Sequence, residues 1–179
     1  MATDKEALFR VYDYIYSKGF GGVPCCKNCN GCERKNYVIL YPYEEEYLSK
    51  RCGKNIFNKS ISLGKGTKIC DCNFDIGGQC AIYSHRPIDC RTYPFVLRKS
   101  NKGLRLCIDE WCPAAKNIMQ SQNHLEEAIT IARKLITAIK DPGFWKILSA
   151  LNSYPWDESM KAKEICKIYE EVDYCKIET

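Results

Sequence analysis

The chain has 179 residues, 45% of them hydrophobic, and a formal net charge of +5 from 27 basic and 22 acidic side chains. That length suits one domain with a core of its own, so disulfides are not required to make up for missing burial. The N-terminus has no apolar h-region and no apolar run approaches about eighteen residues, so neither secretion nor a membrane span is expected and the chain is assigned to the cytoplasm.

In chain order, Leu8, Val11, Tyr12 and Ile15 recur at helical spacing and predict an amphipathic helix over 4–18, capped by Thr3 or Asp4 and stopped at Gly19. Residues 19–36 are rich in Gly, Pro and Cys and read as a loop. Tyr37–Tyr41 is a short β-type run ended by Pro42, and Tyr43–Lys50 makes a helical turn or two. Cys52–Gly66 reads as turns with a short strand, and 67–83 as two strands around Gly77-Gly78. Pro87 opens a short helix carrying Asp89 and Cys90. Residues 95–98 and 104–108 flank Lys99–Gly103, the best hairpin signal in the chain. Leu125, Ile129, Ala132, Ile136 and Ile139 predict a helix over 123–140, with Asn123 and Glu126 as its capping box. Asp141-Pro142-Gly143 breaks it, Phe144–Leu148 continues as helix, and 158–173 are expected to form a last helix with Met160, Ile165, Ile168, Tyr169 and Val172 inward.

Eleven of the thirteen cysteines lie between Cys25 and Cys112. An odd number of thiols in a chain without a secretion signal argues for metal rather than a disulfide framework. In Cys26-x-x-Cys29-x-x-Cys32 the two-residue gaps let a tight loop turn successive thiolates onto one centre. That geometry suits tetrahedral zinc or the corners of an iron–sulfur cube. The triple spacing matches the three-corner run of a [4Fe–4S] ferredoxin, with Cys112-Pro113 as a late ligand. A second clean C-x-x-C, usual in zinc fingers, is missing, and histidines are scarce (His85 and His124), so iron–sulfur is favoured over zinc. The +5 excess would be offset by ligating thiolates, so nucleic acid is not expected as a partner.

The segment Cys80-Ala-Ile-Tyr-Ser-His-Arg-Pro-Ile-Asp-Cys90-Arg-Thr-Tyr-Pro-Phe95 resembles the YkgJ-type cysteine-cluster proteins, the CxxCxxCC zinc- or iron-chelating domain. Their pattern C-x-I-Y-x-x-R-P-x-x-C-R-x-[FY]-P-F is matched without a gap. An upstream cysteine cluster, an acidic Glu-Glu-Tyr-Leu stretch and a late Cys-Pro follow the same order, so the resemblance covers roughly residues 22–116. It implies Cys26, Cys29, Cys32, Cys72, Cys80, Cys90 and Cys112 as metal ligands, with Cys25 next. One departure stands out: the family's first cluster ends in a cysteine doublet, whereas Cys32 is followed by Glu33 and the doublet here is Cys25-Cys26. A related cysteine-cluster region occurs in flagellin lysine N-methylases.

Arg86 and Arg91 bracket Cys90, where guanidinium groups offset thiolate charge or donate to cluster sulfur; ordinary ion pairs with Asp75, Asp89 or Glu110 are the alternative. Tyr83, Tyr93 and Phe95 either wall off such a site or simply pack in the core. The expected architecture is α+β: an irregular, metal-stabilised cysteine-rich core with short strands, packed with a helical C-terminal part. Its parts are an N-terminal helix (1–20), a cysteine-cluster domain (21–116) and a helical region (117–179), joined in one compact unit. The expected cofactor is one or two iron–sulfur clusters serving electron transfer or a redox or methyl-transfer reaction with a redox or protein partner. The alternatives are a structural or interaction module built on zinc and a metal-delivery protein. No G-x-G-x-x-G follows a strand, so a common nucleotide or S-adenosylmethionine loop is not indicated.

Overall fold

The computed structural model describes residues 4–18, 37–53, 57, 60–64, 66–71, 75–76, 79–80, 82–100, 103–110, 112–153 and 162–167. The predicted 19–36 loop, with its stop at Gly19, lies outside them.

Helix α1 spans Lys5–Ser17. Its N-terminal donors are met by Asp4, whose Oδ1 accepts from the Glu6 N–H at 3.0 Å and the Ala7 N–H at 3.1 Å. Leu8, Tyr12 and Ile15 are fully buried, as the periodicity predicts, while Val11 lies at the margin of the core.

Strand β1 (Tyr37–Leu40) leads through Pro42 into helix α2 (Glu44–Cys52). Tyr43, at the helix N-cap, has a left-handed φ of 60°, and Gly53 closes α2 with φ 70°, the conformation that glycine adopts without a Cβ penalty. Strands β2 (Ser60–Gly64) and β3 (Thr67–Asp71) complete a three-stranded antiparallel sheet in the order β1-β3-β2. Val38 stands opposite Cys70, and Ile39 opposite Ile69. A two-stranded ribbon, β4 (Asp75–Ile76) and β5 (Gln79–Cys80), follows. Residues 67–83 are therefore not one strand pair around Gly77-Gly78. The apolar run of β1 is buried and takes β3 as its partner, which leaves only the short ribbon at the turn.

A 3-10 turn at Tyr83–His85 precedes helix α3 (Ile88–Thr92), with Pro87 at its N-cap. The Tyr93–Pro94 bond is cis. Strands β6 (Phe95–Ser100) and β7 (Gly103–Asp109) form the predicted hairpin, with Phe95 opposite Ile108. Helices α4 (Ala115–Met119), α5 (Gln122–Ala138) and α6 (Pro142–Ser153) come next.

Two sequence expectations fail in this half. Helix α5 is preceded by Ser121 as N-cap, with no side-chain cap, instead of an Asn123–Glu126 box. The Glu126 carboxylate is taken by the Gln122 amide at 2.8 Å, one turn earlier on the exposed face. The expected last helix over 158–173 is replaced, within the described residues, by strand β8 (Ala162–Lys167). It pairs antiparallel with β7 in the order β6-β7-β8, Cys166 facing Leu106 across a register shift between Leu106 and Cys107. The open edge of β7 supplies backbone partners that a helical register could not use.

One hydrophobic cluster runs through these elements. Helix α1 packs on α5, α6 lies over β6 and reaches β3, and α3 contacts β1 and β6. Phe144 is fully buried, its ring 5.2 Å from that of Tyr41 and 4.9 Å from that of Trp145. The fold is α+β, and none of its described helices is long and apolar enough to cross a membrane.

Candidate metal centre

Three of the eight expected ligands are described. Cys80 ends β5 opposite Asp75 and is half-buried, Cys90 sits mid-way along α3 against the core, and Cys112 is buried just before α4. Cys25, Cys26, Cys29, Cys32 and Cys72 lie outside the described residues. Among the described residues no three His, Cys, Asp or Glu side chains gather closely enough to hold a metal ion. Cysteines outside that set also have defined places: Cys52 ends α2, and Cys70, the expected alternative to Cys72 as a ligand, and Cys107 lie in strands. Cys70 is buried in β3, its thiol 3.9 Å from the Val38 carbonyl, and Cys107 is buried in β7.

The segment around Cys90 is held rigidly. Within α3 the Arg91 N–H reaches the Pro87 carbonyl at 2.8 Å, and the Thr92 hydroxyl donates to the Ile88 carbonyl at 2.9 Å. From β1, the Ile39 N–H donates to Asp89 Oδ2 at 3.3 Å. Ile88, Asp89 and Arg91 are all buried. A five-residue helix is marginal alone, so such tertiary tethers are what fix its position. A narrow cavity of about 20 Å³ beside Tyr41, Asp89 and Thr92 has room for a single water, not a substrate.

Both expected arginines flank this segment, each 6% exposed. Arg86 stacks on the Tyr83 ring at 4.2 Å, and Arg91 stacks on the Tyr16 ring at 4.3 Å. Arg91 also donates to the Ser84 carbonyl at 2.8 Å. The Nε of each is buried with no hydrogen-bond partner, and among the described residues neither forms an ion pair with a carboxylate. The expected alternative, pairing with Asp89 or Glu110, is thus not formed; Asp75's side chain lies outside the described ones. Burial, above all, lowers the Arg91 pKa, and repulsion from Arg86 and Arg51 adds to it while Tyr16 opposes. Two buried guanidinium groups thus come from residues on either side of Cys90 in the chain, one held against Tyr83 and one against Tyr16.

A buried carboxyl group that binds the start of this segment was missed in the sequence. Glu44 is fully buried at the start of α2. Its Oε2 accepts from the Tyr41 N–H at 2.8 Å and its Oε1 from the Ile88 N–H at 2.6 Å. The Tyr16 hydroxyl lies between Glu44 Oε1 at 3.3 Å and the Arg86 carbonyl at 2.9 Å. With a single proton, Tyr16 donates to the nearer carbonyl. Burial pushes the Glu44 carboxyl up from the usual range to about 8, against the pull of the Tyr41 and Ile88 N–H groups and with Asp89 adding to the rise. At neutral pH the acid is therefore mostly protonated and able to donate to Tyr16 in turn. Burial, reinforced by Glu44, holds the Tyr16 phenol far above its ordinary value.

A pH dependence follows from the Glu44 shift. The folded chain binds this proton more tightly than the unfolded chain does. The resulting stabilisation is complete below about pH 4.5 and is lost as pH rises through about 8. One proton corresponds to a slope of at most about 1.4 kcal/mol per pH unit. Glu44→Gln removes the titration, so denaturant unfolding measured from pH 5 to 9 is expected to show a shallower fall in stability for the variant. Parallel curves for the two proteins would show that Glu44 does not titrate in this window.

A scan against protein-family models and searches of curated proteins and of solved structures give no match to this chain.

Proposed function

We propose that the chain is a metal-binding protein of the cysteine-cluster type, holding a thiolate centre with ligands drawn from Cys25, Cys26, Cys29, Cys32, Cys72, Cys80, Cys90 and Cys112. Arg86 and Arg91 carry this reading. An arginine stays charged in any protein environment, and a buried charge without a counter-ion is costly. Both are buried, Arg86 four residues before Cys90 and Arg91 directly after it, and their Nε atoms have no hydrogen-bond partner among the described residues. Four thiolates around a divalent zinc leave a net charge of about −2, and thiolates around an iron–sulfur core likewise leave an excess of negative charge. The donor set therefore fits the group on charge as well as on ligand chemistry. The rigid seating of α3 is a second support, because ligands that hold a metal well are set on elements fixed by an outer layer of contacts.

Iron–sulfur is the preferred occupant, on the Cys26-x-x-Cys29-x-x-Cys32 spacing. One or two such clusters would supply electron transfer, or a redox or methyl-transfer reaction in concert with a redox or protein partner. Zinc is the competing occupant and would make the chain a structural or interaction module, or a metal-delivery protein. Visible absorption of anaerobically purified protein separates them. An iron–sulfur centre gives brown protein with broad absorption that bleaches on reduction. Colourless protein carrying stoichiometric zinc would overturn the iron–sulfur assignment and leave the zinc one.

A further inference from the structure

Helix α3 carries Cys90, yet its position depends on residues far away in the chain. Three tethers reach it or its lead-in from elsewhere. Ile39 on β1 holds Asp89, Tyr16 on α1 holds the Arg86 carbonyl, and Glu44 on α2 holds the Ile88 N–H. Glu44 is common to more of this arrangement than any other of these side chains. It binds the first N–H of α3, it lies against the Tyr16 hydroxyl that binds Arg86, and its second oxygen closes the Tyr41–Glu44 turn, where the Glu44 N–H in turn meets the Tyr41 carbonyl at 3.0 Å. That turn is pinned again by the Tyr12 hydroxyl, which donates to the Pro42 carbonyl at 2.6 Å.

The placement is costly. A carboxyl group is removed from water with no cation bound to it among the described residues, and the chain enters α2 through a left-handed tyrosine. An apolar residue would avoid the first cost but would orphan the Tyr41 and Ile88 N–H groups. Glutamate at this place keeps the entrance to the Cys90 segment in register with α1 and β1.

We propose that Glu44 is the positioning residue of the Cys90 segment: by holding Ile88 directly and Arg86 through Tyr16, it sets where α3 begins and hence where the Cys90 thiolate meets a metal. The inference rests on the thiolate-centre reading above and adds to it a residue from outside the cysteine motif. Metal–ligand distances tolerate shifts of only about 0.2 Å, so a small displacement of α3 reaches the site.

The test is anaerobic titration of the reduced full chain with Co²⁺, whose thiolate charge-transfer and d–d bands report the coordination. The wild-type chain is expected to show both. Glu44→Ala is expected to bind cobalt about 10–100-fold more weakly, with displaced d–d bands. Glu44→Gln, which can still offer an amide oxygen to Ile88, is expected to recover part of the affinity. Leu148→Ala, a buried residue of α6, is the control for lost stability. It should cost about 2–5 kcal/mol of folding free energy yet leave the bands in place. Wild-type bands and affinity in Glu44→Ala, or an equal displacement in Leu148→Ala, would overturn the positioning role while leaving the metal reading intact. A wild-type chain without any thiolate band would overturn the metal reading and this inference with it. Where Glu44→Ala does not fold, Tyr16→Phe takes its place, since it removes only the hydroxyl at the Arg86 carbonyl. Displaced bands are then expected, and unmoved ones count against the proposal.

Discussion

Cys90→Ala should remove the metal from its centre and cost the protein several kcal/mol of stability. Cys90 is set between two buried, tethered residues, Asp89 and Arg91, on a helix that packs against β1 and β6. Binding free energy at a site that forms only with the fold is folding free energy, so the loss of one ligand is felt twice, in metal content and in the melting transition. The side chain itself is small and half-buried. Truncating it without a metal would fall within the ordinary range for a point change, about 1 kcal/mol. The size of the effect is therefore diagnostic. Metal analysis and thermal melting of the variant beside the wild type give the answer: a fall in both supports ligation, and a variant that keeps its metal excludes Cys90 as a ligand.

The second large effect has opposite signs in the two states of the protein. Arg86→Met keeps an unbranched side chain that can cover Tyr83 but removes a charge that is 6% exposed and lacks a partner at Nε. Without metal, the buried charge is a liability, and replacing it with an apolar side chain is expected to raise stability by about 1–4 kcal/mol. With the thiolate centre assembled, the same charge offsets the negative ligands. Its loss is then expected to weaken metal binding about 10–100-fold. Chelator competition and melting of the metal-free and metal-loaded forms measure the two arms. A variant destabilised without metal and unchanged in affinity would mean that Arg86 serves only to pack on Tyr83.

Elements whose apolar spacing is decided locally were legible in the sequence. Leu8, Tyr12 and Ile15 foretold α1, Ala132 and Ile136 foretold α5, and the residues flanking Lys99–Gly103 foretold the β6–β7 hairpin. Elements decided by distant partners were not. The segment 162–167 shares its apolar spacing with a helix, and only the open edge of β7 makes it a strand. Glu44, Glu45 and Glu46 are three like residues in a row at the start of α2, and two of them pair with lysines. Glu46 bridges Lys5 at 2.7 Å and Lys50 at 2.9 Å on the surface, and Glu45 pairs with Lys68. Glu44 differs because Pro42 and the left-handed Tyr43 turn it inward, onto an N–H that lies 44 residues further along the chain. No local pattern announces that contact. Arg86 and Arg91 are visible in the sequence as the residues around Cys90, but that neither pairs with a carboxylate among the described residues is a property of the packed chain.

Whether the cysteines hold a metal is decided by elemental analysis of the anaerobically purified full chain. Stoichiometric metal is expected, with about four iron and matching sulfide per cubane cluster, or about one zinc per four-thiolate site. A folded chain that carries neither iron nor zinc, and takes up neither when reduced and reconstituted, would contradict metal binding.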